Sequence, residues 1–590
     1  MTGLVETDMN AAIDRHLAEA LADWFQCRED WFRHSVMALS EALREGHACL
    51  ELTEVREHSG VLPPLAEWQR KLDELGTAPD DLAPLVLEAG RLYLRRYWRF
   101  ETQLAQMIRQ RLEPTEPSDM AAAREAFMAL FPDASKALDW QAVAAANALF
   151  QRFSVVAGGP GTGKTRTVTR LLALLAQTLR GEEPLRIAMA APTGKAAQCL
   201  AESMRGSLES IPDGLRARAE AVIPGEASTL HRLLGVIPNR PGFRHDQEKP
   251  LKLDVLLVDE ASMIDLPLMT RLFRALPAHA RVILLGDPNQ LPSVAAGSVL
   301  SDLAADGAGV FSQPRCDQLS ALGAVAPEPG QVARDYVTVL QHSYRFDSAG
   351  GIGRLAQQVL AGHNEQSLEM LKQNQQGVYW IEQGDVTDYV SRWCERWYAA
   401  VAQARTLAQA FEALAAFRVL CATRVGPRGS MALNDAFSAR LNPTSAPIYP
   451  GQPIMITENH YSLGLFNGDI GLIWPDGAGD DATLLAWFPQ GSEGFRPMAP
   501  ARLPAHETVY AMTIHKTQGS EFDHIALVLP EQGSQVLSRE LLYTGLTRAR
   551  ESVTVLGTGA VWRAGVQQAV ARASGLAGRI VDPQHRSPSQ

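Results

Sequence analysis

The sequence predicts an α/β fold with two parallel-sheet domains, a small inserted β-barrel and a helical amino-terminal domain. Two stretches of the chain alternate short apolar strands with helices, a pattern that builds parallel sheets covered on both faces. The second stretch is interrupted by short strands and turns, and the first is preceded by apolar residues at helical spacing. The 590 residues exceed one hydrophobic core, and roughly 150 residues per domain corresponds to about four domains.

The composition is that of a globular protein without membrane spans. Hydrophobic residues make up 46% and charged residues 21% of the chain, and no run of about 18 apolar residues occurs. The amino terminus lacks a basic and then apolar signal pattern, so we expect a cytoplasmic protein. The net charge of -11 argues against duplex binding through the overall field, so any nucleic-acid contact is a local groove. The six widely spaced cysteines argue against a zinc or iron–sulfur site and against a disulfide framework.

Residues 1–116 carry a helical pattern. Apolar residues recur at three- and four-residue steps in segments 11–25 and 82–108. An aromatic cluster in the second segment fits a helical core, with a partner-binding stripe as the alternative. The cluster consists of Tyr93, Tyr97, Trp98 and Phe100. Pro114 and Pro117 interrupt the pattern and predict a domain boundary.

The sequence predicts the first parallel-sheet domain over residues 118–335. Its short apolar runs alternate with helical segments, as parallel strands with helical crossovers do. The predicted strands are 153–157, 185–191, 255–258 and 281–285. The glycine- and proline-rich stretch 306–331 predicts a long surface loop or linker.

The sequence predicts a second parallel-sheet domain over residues 336–427 and 504–581. Residues 428–503 interrupt this domain. Inside the interruption, Asn467 and Gly468 precede an apolar run, which is a hairpin signal and indicates a small antiparallel barrel. The strands predicted for the domain are 418–422, 524–529 and 552–557, and those of the barrel are 453–457, 470–474 and 484–488. Residues 582–590 form a polar tail.

A glycine-rich segment after the first predicted strand carries the chemistry of a phosphate loop. It consists of Gly158, Gly159, Pro160, Gly161, Thr162, Gly163, Lys164 and Thr165. A strand that leads through such a turn into a helix points backbone N–H groups and the positive end of the helix dipole at one place, where phosphate oxygens bind. Lys164 is spaced to reach the β- and γ-phosphates of ATP, and Thr165 to bind Mg²⁺.

Two further strands end in polar residues that complete a hydrolytic site. Asp259 and Glu260 follow strand 255–258, where Asp259 is placed to hold Mg²⁺ and Glu260 to orient and deprotonate the attacking water. Gln290 follows the next strand and is placed to detect the γ-phosphate. Upstream, Gln141 has an amide that can bind the donor and acceptor edge of adenine.

Two arginines in the second sheet domain can supply positive charge to the γ-phosphate. Arg345 lies in the segment LQHSYRF and Arg548 in YTGLTRAR. If both reach across a cleft between the sheet domains, ATP closes the cleft and hydrolysis opens it.

The order of the motifs resembles that of superfamily 1 helicases. Along the chain it reads GGPGTGKT, APTGKAA, TLHRLLG, VDEASM, GDPNQLPSV, QHSYRF, TIHKTQGSEF and YTGLTRAR. Within that superfamily, the forms PTGKAA, TLHRLLG and IHKTQGSEF and the small inserted barrel resemble the RecD family, the alpha subunits of exodeoxyribonuclease V. The resemblance is strong over residues 140–557, while residues 1–116 match in length and helical character only.

The resemblance implies two RecA-like sheet domains of the P-loop NTPase type and a track for single-stranded DNA across them. The residues implied in DNA binding are Thr193, Lys195, Thr229, His231, Thr513, His515 and Lys516. Hydroxyls, lysines and amides suit phosphate contacts, which position DNA without reading its sequence. Gln518, Gly519 and Glu521 are implied near the hinge and the ribose and phosphates of the nucleotide.

The resemblance also implies a role and partners. RecD proteins move 5′ to 3′ along DNA at a duplex end, in a heterotrimer with RecB and RecC that repairs double-strand breaks by homologous recombination. Residues 1–116 would then bind a partner. No acidic cluster of a nuclease is evident in the sequence, so cleavage would belong to a partner subunit.

Three other functions stay open at the level of sequence. A self-sufficient helicase is possible, although the stand-alone RecD-like enzymes carry an amino-terminal extension that this length does not favour. An interaction module switched by ATP would not need Glu260, Arg345 and Arg548. An RNA helicase of the same superfamily is the third, and no zinc-binding cysteine region supports it.

Overall fold

The computed structural model describes most of the chain. The described residues are 12–55, 61–179, 184–237, 240, 242–305, 307–345, 350–375, 377–382, 384–460, 463–477, 482–490 and 494–581. The polar tail predicted at 582–590 lies outside them. Within these residues, no helix combines the length and the apolar character that crossing a bilayer requires.

The described part of the amino-terminal region contains four helices and a small antiparallel sheet. Its elements are α1 (Ala12–Phe25), α2 (Asp30–Arg44), β1 (Leu50–Glu51), α3 (Leu65–Glu74), β2 (Leu85–Glu88), β3 (Arg91–Leu94) and α4 (Arg95–Arg109). The strands pair in the order β1-β3-β2. The expectation of a helix over 82–108 is therefore wrong for its first half. Ala89 and Gly90, with φ of 50° and 75°, form a two-residue turn of the kind that joins hairpin strands, and α4 begins only after it.

The first sheet domain is a six-stranded parallel sheet with helices on both faces. Its elements are α5 (Met120–Leu130), α6 (Trp140–Leu149), β4 (Phe153–Gly158), α7 (Lys164–Thr178), β5 (Ile187–Ala191), α8 (Gly194–Leu208), α9 (Asp213–Val222), β6 (Ser228–Thr229), α10 (Leu230–Leu234), β7 (Val255–Val258), α11 (Leu266–Arg274), β8 (Arg281–Gly286), α12 (Val299–Leu303), α13 (Gln313–Leu322) and β9 (Val337–Leu340). The strand order is β6-β5-β7-β8-β4-β9. Its central strands are fully buried, as expected for a sheet covered on both faces.

Two sequence expectations for this domain are corrected by the structure. The predicted linker 306–331 contains α13, whose residues Cys316, Leu319 and Leu322 lie at helical spacing and pack into the core. The predicted boundary at 335 lies too early, because β9 pairs in parallel with β4 and so belongs to the first sheet.

The second sheet domain is a five-stranded parallel sheet. Its elements are α14 (Gly351–Leu360), α15 (Asn364–Lys372), β10 (Val378–Ile381), α16 (Val386–Trp393), α17 (Ala399–Gln403), α18 (Leu407–Ala416), β11 (Phe417–Cys421), α19 (Ser430–Leu441), β17 (Ala511–Thr513), β18 (Phe522–Val528), α20 (Arg539–Leu546), β19 (Ala549–Leu556) and α21 (Gly559–Gln567). The strand order is β10-β19-β18-β11-β17. The two parallel sheets confirm the predicted fold class.

The insertion is an open antiparallel sheet. Its strands are β12 (Pro453–Ile456), β13 (Ile470–Asp476), β14 (Thr483–Pro489), β15 (Phe495–Met498) and β16 (His506–Thr508), in the order β15-β14-β13-β12-β16. Within the described residues no ladder joins β15 to β16, so the predicted barrel is not closed. The limits 428–503 also shift. Helix α19 packs Leu433 and Phe437 into the core of the second sheet domain, and β16 extends the inserted sheet to Thr508.

The last described helix of the chain packs against the amino-terminal region. The last described helix, α22 (Leu576–Val581), buries Leu576 and Ile580 in a core that also holds Leu104 and Ile108 of α4. Residues 576–581 therefore pack outside the second sheet domain, to which the sequence had assigned 504–581.

Candidate functional site

Three neighbouring strands of the first sheet end at one edge, and a functional candidate follows each of them. Strands β7, β8 and β4 are parallel and adjacent. The phosphate loop follows β4, Asp259 follows β7 and Asp287 follows β8. Because the carboxyl ends of parallel strands share one edge, the loop and the two carboxylates lie together where α/β proteins bind ligands.

Two glycines give the phosphate loop its shape. Gly161 and Gly163 have φ of 75° and 80°, which side-chain-bearing residues rarely adopt. A Cβ at Gly161 would overlap Arg345, and one at Gly163 would overlap the amide of Gln141. The Gln141 side chain is buried and its Nε2 donates to the carbonyl of Thr162 at 3.1 Å. Its amide, predicted to bind adenine, thus lies against the loop that would hold the phosphates.

The loop continues directly into α7, whose first residue is Lys164. The Lys164 ammonium donates to the carbonyls of Gly158 at 2.7 Å and Gly159 at 3.0 Å, so it folds back over the loop. Thr162 caps the same turn through its hydroxyl, which donates to Gly159 at 2.9 Å. Thr165 lies half-buried on the first turn of α7. The amino-terminal N–H groups of α7 therefore face the loop, as anion binding at a helix end requires.

The paired acids after β7 are electrostatically coupled to each other. Burial, reinforced by the charge of Glu260, raises the pKa of Asp259 to about 6, while Lys164 opposes the shift. Glu260 has a φ of 51°, an unusual conformation for a residue with a side chain, and its N–H donates to Asp259 Oδ1 at 2.8 Å. The strained backbone and the buried charge mark this turn as a functional candidate.

The loop after β8 (residues 287–297) brings a third acid to this edge. Asp287 is buried, which raises its pKa, and Lys164 again opposes the shift. Its carboxylate accepts from the N–H of Asn289 at 3.0 Å and from Gln290 Nε2 at 3.4 Å. The predicted sensor Gln290 is therefore attached to Asp287, a residue that sequence reasoning did not select.

The connector (residues 341–345), which leaves β9, runs along the phosphate loop. The N–H of Tyr344 donates to the carbonyl of Gly161 at 2.8 Å, and the Ser343 hydroxyl donates to that of Pro160 at 3.1 Å. Arg345 thus reaches the loop from the connector. The prediction that it lies within the second sheet domain is wrong. The Tyr344 ring is exposed beside the loop and offers a flat face for a base.

Arg345 links the phosphate loop to the second sheet domain. Its Nη2 lies 2.6 Å from Glu521 Oε1, and Arg550 lies 3.4 Å from the other oxygen of the same carboxylate. Arg345 Nη1 is buried and has no hydrogen-bond partner among the described residues. The predicted Arg345 and Glu521 are therefore brought together next to the loop.

The remaining second-domain candidates lie along the same interface. Arg548 is buried and donates to the carbonyls of Thr544 and Ser520 at 3.2 and 3.3 Å, both in its own domain. Gln518 Nε2 donates across the interface to the carbonyl of Leu291 at 3.1 Å. Gly519 faces α8, because a Cβ there would lie 3.4 Å from the Cβ of Ala196.

A groove of about 910 Å³ lies between the first sheet domain, the second sheet domain and the inserted sheet. Lys195 and Thr229 line it together with Phe411, Arg418 and Phe466. Burial lowers the pKa of Lys195. Cationic, hydroxyl and aromatic side chains in one groove are the combination that binds single-stranded nucleic acid.

Other residues predicted on the DNA track have local structural partners. Thr193 and Thr229 are the N-caps of α8 and α10, each accepting from a backbone N–H at 3.2 Å. The His231 ring packs edge-on against Phe243 at 5.8 Å, and burial lowers its pKa. Thr193 and Thr229 therefore cap helices, and His231 packs against an aromatic ring.

Thr513, His515 and Lys516 lie at the end of β17 and in the 3₁₀ turn after it. None of the three is among the residues that line the groove. Burial lowers the pKa of His515. Lys516 pairs with Glu507 of the inserted sheet at 2.6 Å. The structure thus separates the predicted DNA residues into one set inside the groove and one set beside it.

Sequence reasoning missed four residues that the fold brings to the site: Asp287, Tyr344, Phe466 and Tyr543. Three of them lie inside motifs in which only a neighbouring residue was selected. Phe466 belongs to the inserted sheet, and its ring lies so close to Gly194 that a Cβ there would be 2.9 Å away. Its position depends on packing between domains, for which the sequence carries no signal.

Three protein families match parts of this sequence. The AAA domain matches residues 141–296, the UvrD-like helicase C-terminal domain matches residues 508–556, and the N-terminal domain of the RecBCD enzyme subunit RecD matches residues 6–93. The AAA match contains the phosphate loop and the strands β7 and β8, which Asp259 and Asp287 follow. The second contains β17, β18 and α20.

Individual proteins match most of the chain. The RecBCD enzyme subunit RecD of Haemophilus influenzae is 36% identical over 574 residues, which cover 90% of this chain and 87% of the relative. The ATP-dependent RecD2 DNA helicase of Deinococcus radiodurans is 31% identical and covers 86% of this chain, but the match covers 62% of that longer protein. The crystal structure of Bacteroides Pif1 bound to single-stranded DNA is 16% identical, covers 68% of this chain and 88% of that chain, and has a TM-score of 0.35.

Proposed function

This chain belongs to the family of the RecBCD enzyme subunit RecD and is an ATP-dependent DNA helicase, and we propose that it moves 5′ to 3′ along single-stranded DNA within a RecBCD-type assembly that repairs double-strand breaks. One observation carries the proposal. The phosphate loop is contacted both by the connector and, through Arg345, by Glu521 of the second sheet domain. A nucleotide bound there touches both sides of a cleft, so its hydrolysis can drive relative movement of the two domains.

The hydrolytic roles follow from the positions of the side chains. Lys164 and the N–H groups of α7 would bind the phosphates, and Glu260 would take the proton of the attacking water. Gln290 would detect the γ-phosphate. The buried Nη1 of Arg345, which has no partner among the described residues, supports a contact to the γ-phosphate from the connector. Arg548 would contribute indirectly, since it is buried and its Nε and Nη1 donate to carbonyls of its own domain.

Asp259 and Thr165 fit a magnesium ion by their chemistry. A carboxylate whose pKa is raised by burial gains stability from a nearby divalent cation, and a hydroxyl on the first turn of α7 is a hard oxygen donor. When bound, the ion would neutralise charge on the β- and γ-phosphates. The side chains of this chain would hold it in place and orient the nucleotide.

The groove is the proposed path of the DNA strand. Lys195 and Thr229 supply donors for phosphates, and Phe411 and Phe466 supply faces for bases. The groove also includes Glu521, the partner of Arg345, so the DNA path and the nucleotide cleft share a residue. This shared residue supports coupling between hydrolysis and DNA movement.

We further propose RecB-like and RecC-like partners, with the amino-terminal region as the contact surface and the nuclease centre on a partner. The support is the match of residues 6–93 to the RecD N-terminal domain and the name of the relatives as subunits. A cytoplasmic location stays a prediction.

The function is tested by ATP hydrolysis with and without single-stranded DNA. We expect DNA to stimulate hydrolysis and Lys164→Gln to abolish the stimulated rate, because the ammonium at the phosphates is lost. Purification from native cells tests the assembly, with two further subunits expected in fixed ratio. Undiminished hydrolysis by Lys164→Gln would show that the catalytic site lies elsewhere.

A stand-alone helicase is the second candidate. It is favoured by the relative named RecD2, which aligns with 86% of this chain. If the chain purified from native cells is a monomer that unwinds duplexes without partners, this candidate replaces the subunit role and leaves the motor chemistry unchanged.

A further inference from the structure

Helix α20 of the second sheet domain contacts the loop after β8 through two neighbouring side chains. The Tyr543 hydroxyl donates to Asp287 Oδ2 at 2.8 Å. The Thr544 hydroxyl accepts from the N–H of Leu291 at 2.9 Å. Gln518, from the turn after β17, donates to the Leu291 carbonyl at 3.1 Å. The second domain therefore holds this loop on both sides of Gln290.

Tyr543 reaches into the nucleotide site itself. A Cβ on Gly159 of the phosphate loop would lie 3.0 Å from the Tyr543 oxygen and 3.8 Å from Asp287 Oδ2. The carbonyl of the same glycine accepts from the Lys164 ammonium at 3.0 Å. A tyrosine of one sheet domain thus completes the packing behind the phosphate loop of the other, where its ring is buried.

The hydrogen bonds around Asp287 determine which way the Gln290 amide faces. An ionised carboxylate only accepts hydrogen bonds, so it selects the Nε2 side of the amide. The Nε2 to Oδ2 distance of 3.4 Å is long, and the bond depends on the carboxylate being held in place. Gln290 is 4% exposed, and its Oε1 has no hydrogen-bond partner among the described residues. This oxygen is free to accept a hydrogen bond from the attacking water or from another donor held at the γ-phosphate.

We propose that Tyr543 is a positioning residue for ATP hydrolysis: its hydroxyl fixes Asp287, and through Asp287 the Gln290 amide, only when the two sheet domains are in contact. The inference rests on the proposed role of Gln290 at the γ-phosphate. Domain closure and orientation of the sensor then become one event. Hydrolysis is fast when DNA holds the domains together and slow when they separate.

The test is Tyr543→Phe in the full chain, with hydrolysis measured over a range of ATP concentrations with and without single-stranded DNA. The variant removes one hydroxyl and keeps the buried ring. We expect kcat with DNA to fall about tenfold while KM for ATP changes less than about twofold, because an interaction made in the closed, reacting state is lost. The rate without DNA should fall less, so the stimulation by DNA shrinks.

The matched control is Tyr398→Phe, which removes another buried tyrosine hydroxyl, bonded to the Tyr510 carbonyl at 2.9 Å inside the second sheet domain. It should leave kcat and DNA stimulation unchanged. Thr544→Val, which removes the neighbouring bond to Leu291, is the second variant and should also lower DNA stimulation. Thermal melts of all three variants separate loss of folding from loss of positioning.

A double-mutant cycle decides whether Tyr543 acts through Asp287. With Asp287→Asn in place, Tyr543→Phe should cost little more, because the acceptor is already altered. The proposal would be overturned if the two substitutions lowered kcat by independent factors that multiply in the double variant. Full activity of Tyr543→Phe would also overturn it. Lys164→Gln distinguishes the two levels. If it keeps activity, the proposed site is wrong, whereas if it is inactive and Tyr543→Phe is normal, only the role of Tyr543 is wrong.

Discussion

The nucleotide edge of the first sheet and the groove beside it are built in different ways. At the edge, Lys164, Asp259 and Asp287 each lie within a few residues of the end of a buried parallel strand. The groove takes Lys195 from the first sheet domain, Arg418 from the second and Phe466 from the inserted sheet. The charged residues at the edge are positioned locally, by the strands that they follow. The residues of the groove are positioned by the packing of the two sheet domains and the inserted sheet against one another. We therefore expect changes at the edge to stop catalysis, and changes in the groove to weaken DNA binding by degrees.

The largest effect is expected from Glu260→Gln. Loss of the general base should lower kcat about a thousandfold with ATP binding retained, because the amide cannot take a proton. Single-stranded DNA affinity should stay within about twofold of the original, which a binding titration without hydrolysis measures. If DNA affinity falls as steeply as the rate, Glu260 acts on DNA binding as well as on catalysis, and the contrast drawn between edge and groove is wrong.

This contrast also explains how much could be read from the sequence. The sequence predicts that Lys164, Asp259 and Gln290 share one edge because each follows a strand of one sheet, and the structure has those strands as neighbours whose carboxyl ends lie together. Their catalytic roles remain predictions. Tyr543 could not be selected, because its contact with Asp287 joins residues far apart in the chain.

The errors in predicting the fold also arise from contacts between residues that are distant in the sequence. The hairpin of β2 and β3 depends on a turn at Ala89 and Gly90, in which alanine takes a conformation that its side chain disfavours. Helix α13 was hidden in a stretch rich in glycine and proline, where local composition favoured a loop. In both places tertiary packing overrides local preference.

A smaller effect is expected from Lys195→Ala. Loss of one phosphate contact should weaken single-stranded DNA binding about tenfold at low salt and reduce the slope of log affinity against log salt by about 0.7. The ATP KM at saturating DNA should be unchanged. Arg205→Ala, at another position lining the groove, is a comparison that tells whether any lost cation has the same effect. An unchanged salt slope for Lys195→Ala would remove Lys195 from the DNA path.

The pH dependence of DNA binding separates the groove further from the edge. Burial lowers the pKa of Lys195, with Arg418 acting in the same direction and Cys199 and Asp469 opposing. The ammonium therefore loses its proton at a lower pH than an ordinary lysine. DNA affinity should therefore fall as the pH rises, at pH values below those at which ordinary lysines lose their charge. Lys195→Arg should bind with a flat profile, since arginine stays charged. Parallel profiles for both proteins would rule out Lys195 as the titrating group.

The smallest effect concerns Glu507 of the inserted sheet, which holds Lys516 at 2.6 Å and Arg424 at 3.9 Å. A DNA phosphate that binds either cation would compete with this carboxylate. Glu507→Gln should release them and strengthen single-stranded DNA binding about twofold. Glu458→Gln, in the same sheet module, serves as the charge-matched comparison. Weaker binding by Glu507→Gln would mean that the pair orients Lys516 instead of competing for it.

Unwinding of tailed duplexes tests the central claim most directly, since it requires the edge and the groove to act together. Duplexes with a 5′ or a 3′ single-stranded tail are mixed with the native assembly in which only this chain's motor is active. We predict that a 5′ tail supports ATP-dependent unwinding and that Lys164→Gln abolishes it. Unwinding from 3′ tails alone, or unwinding that survives Lys164→Gln, would contradict the account.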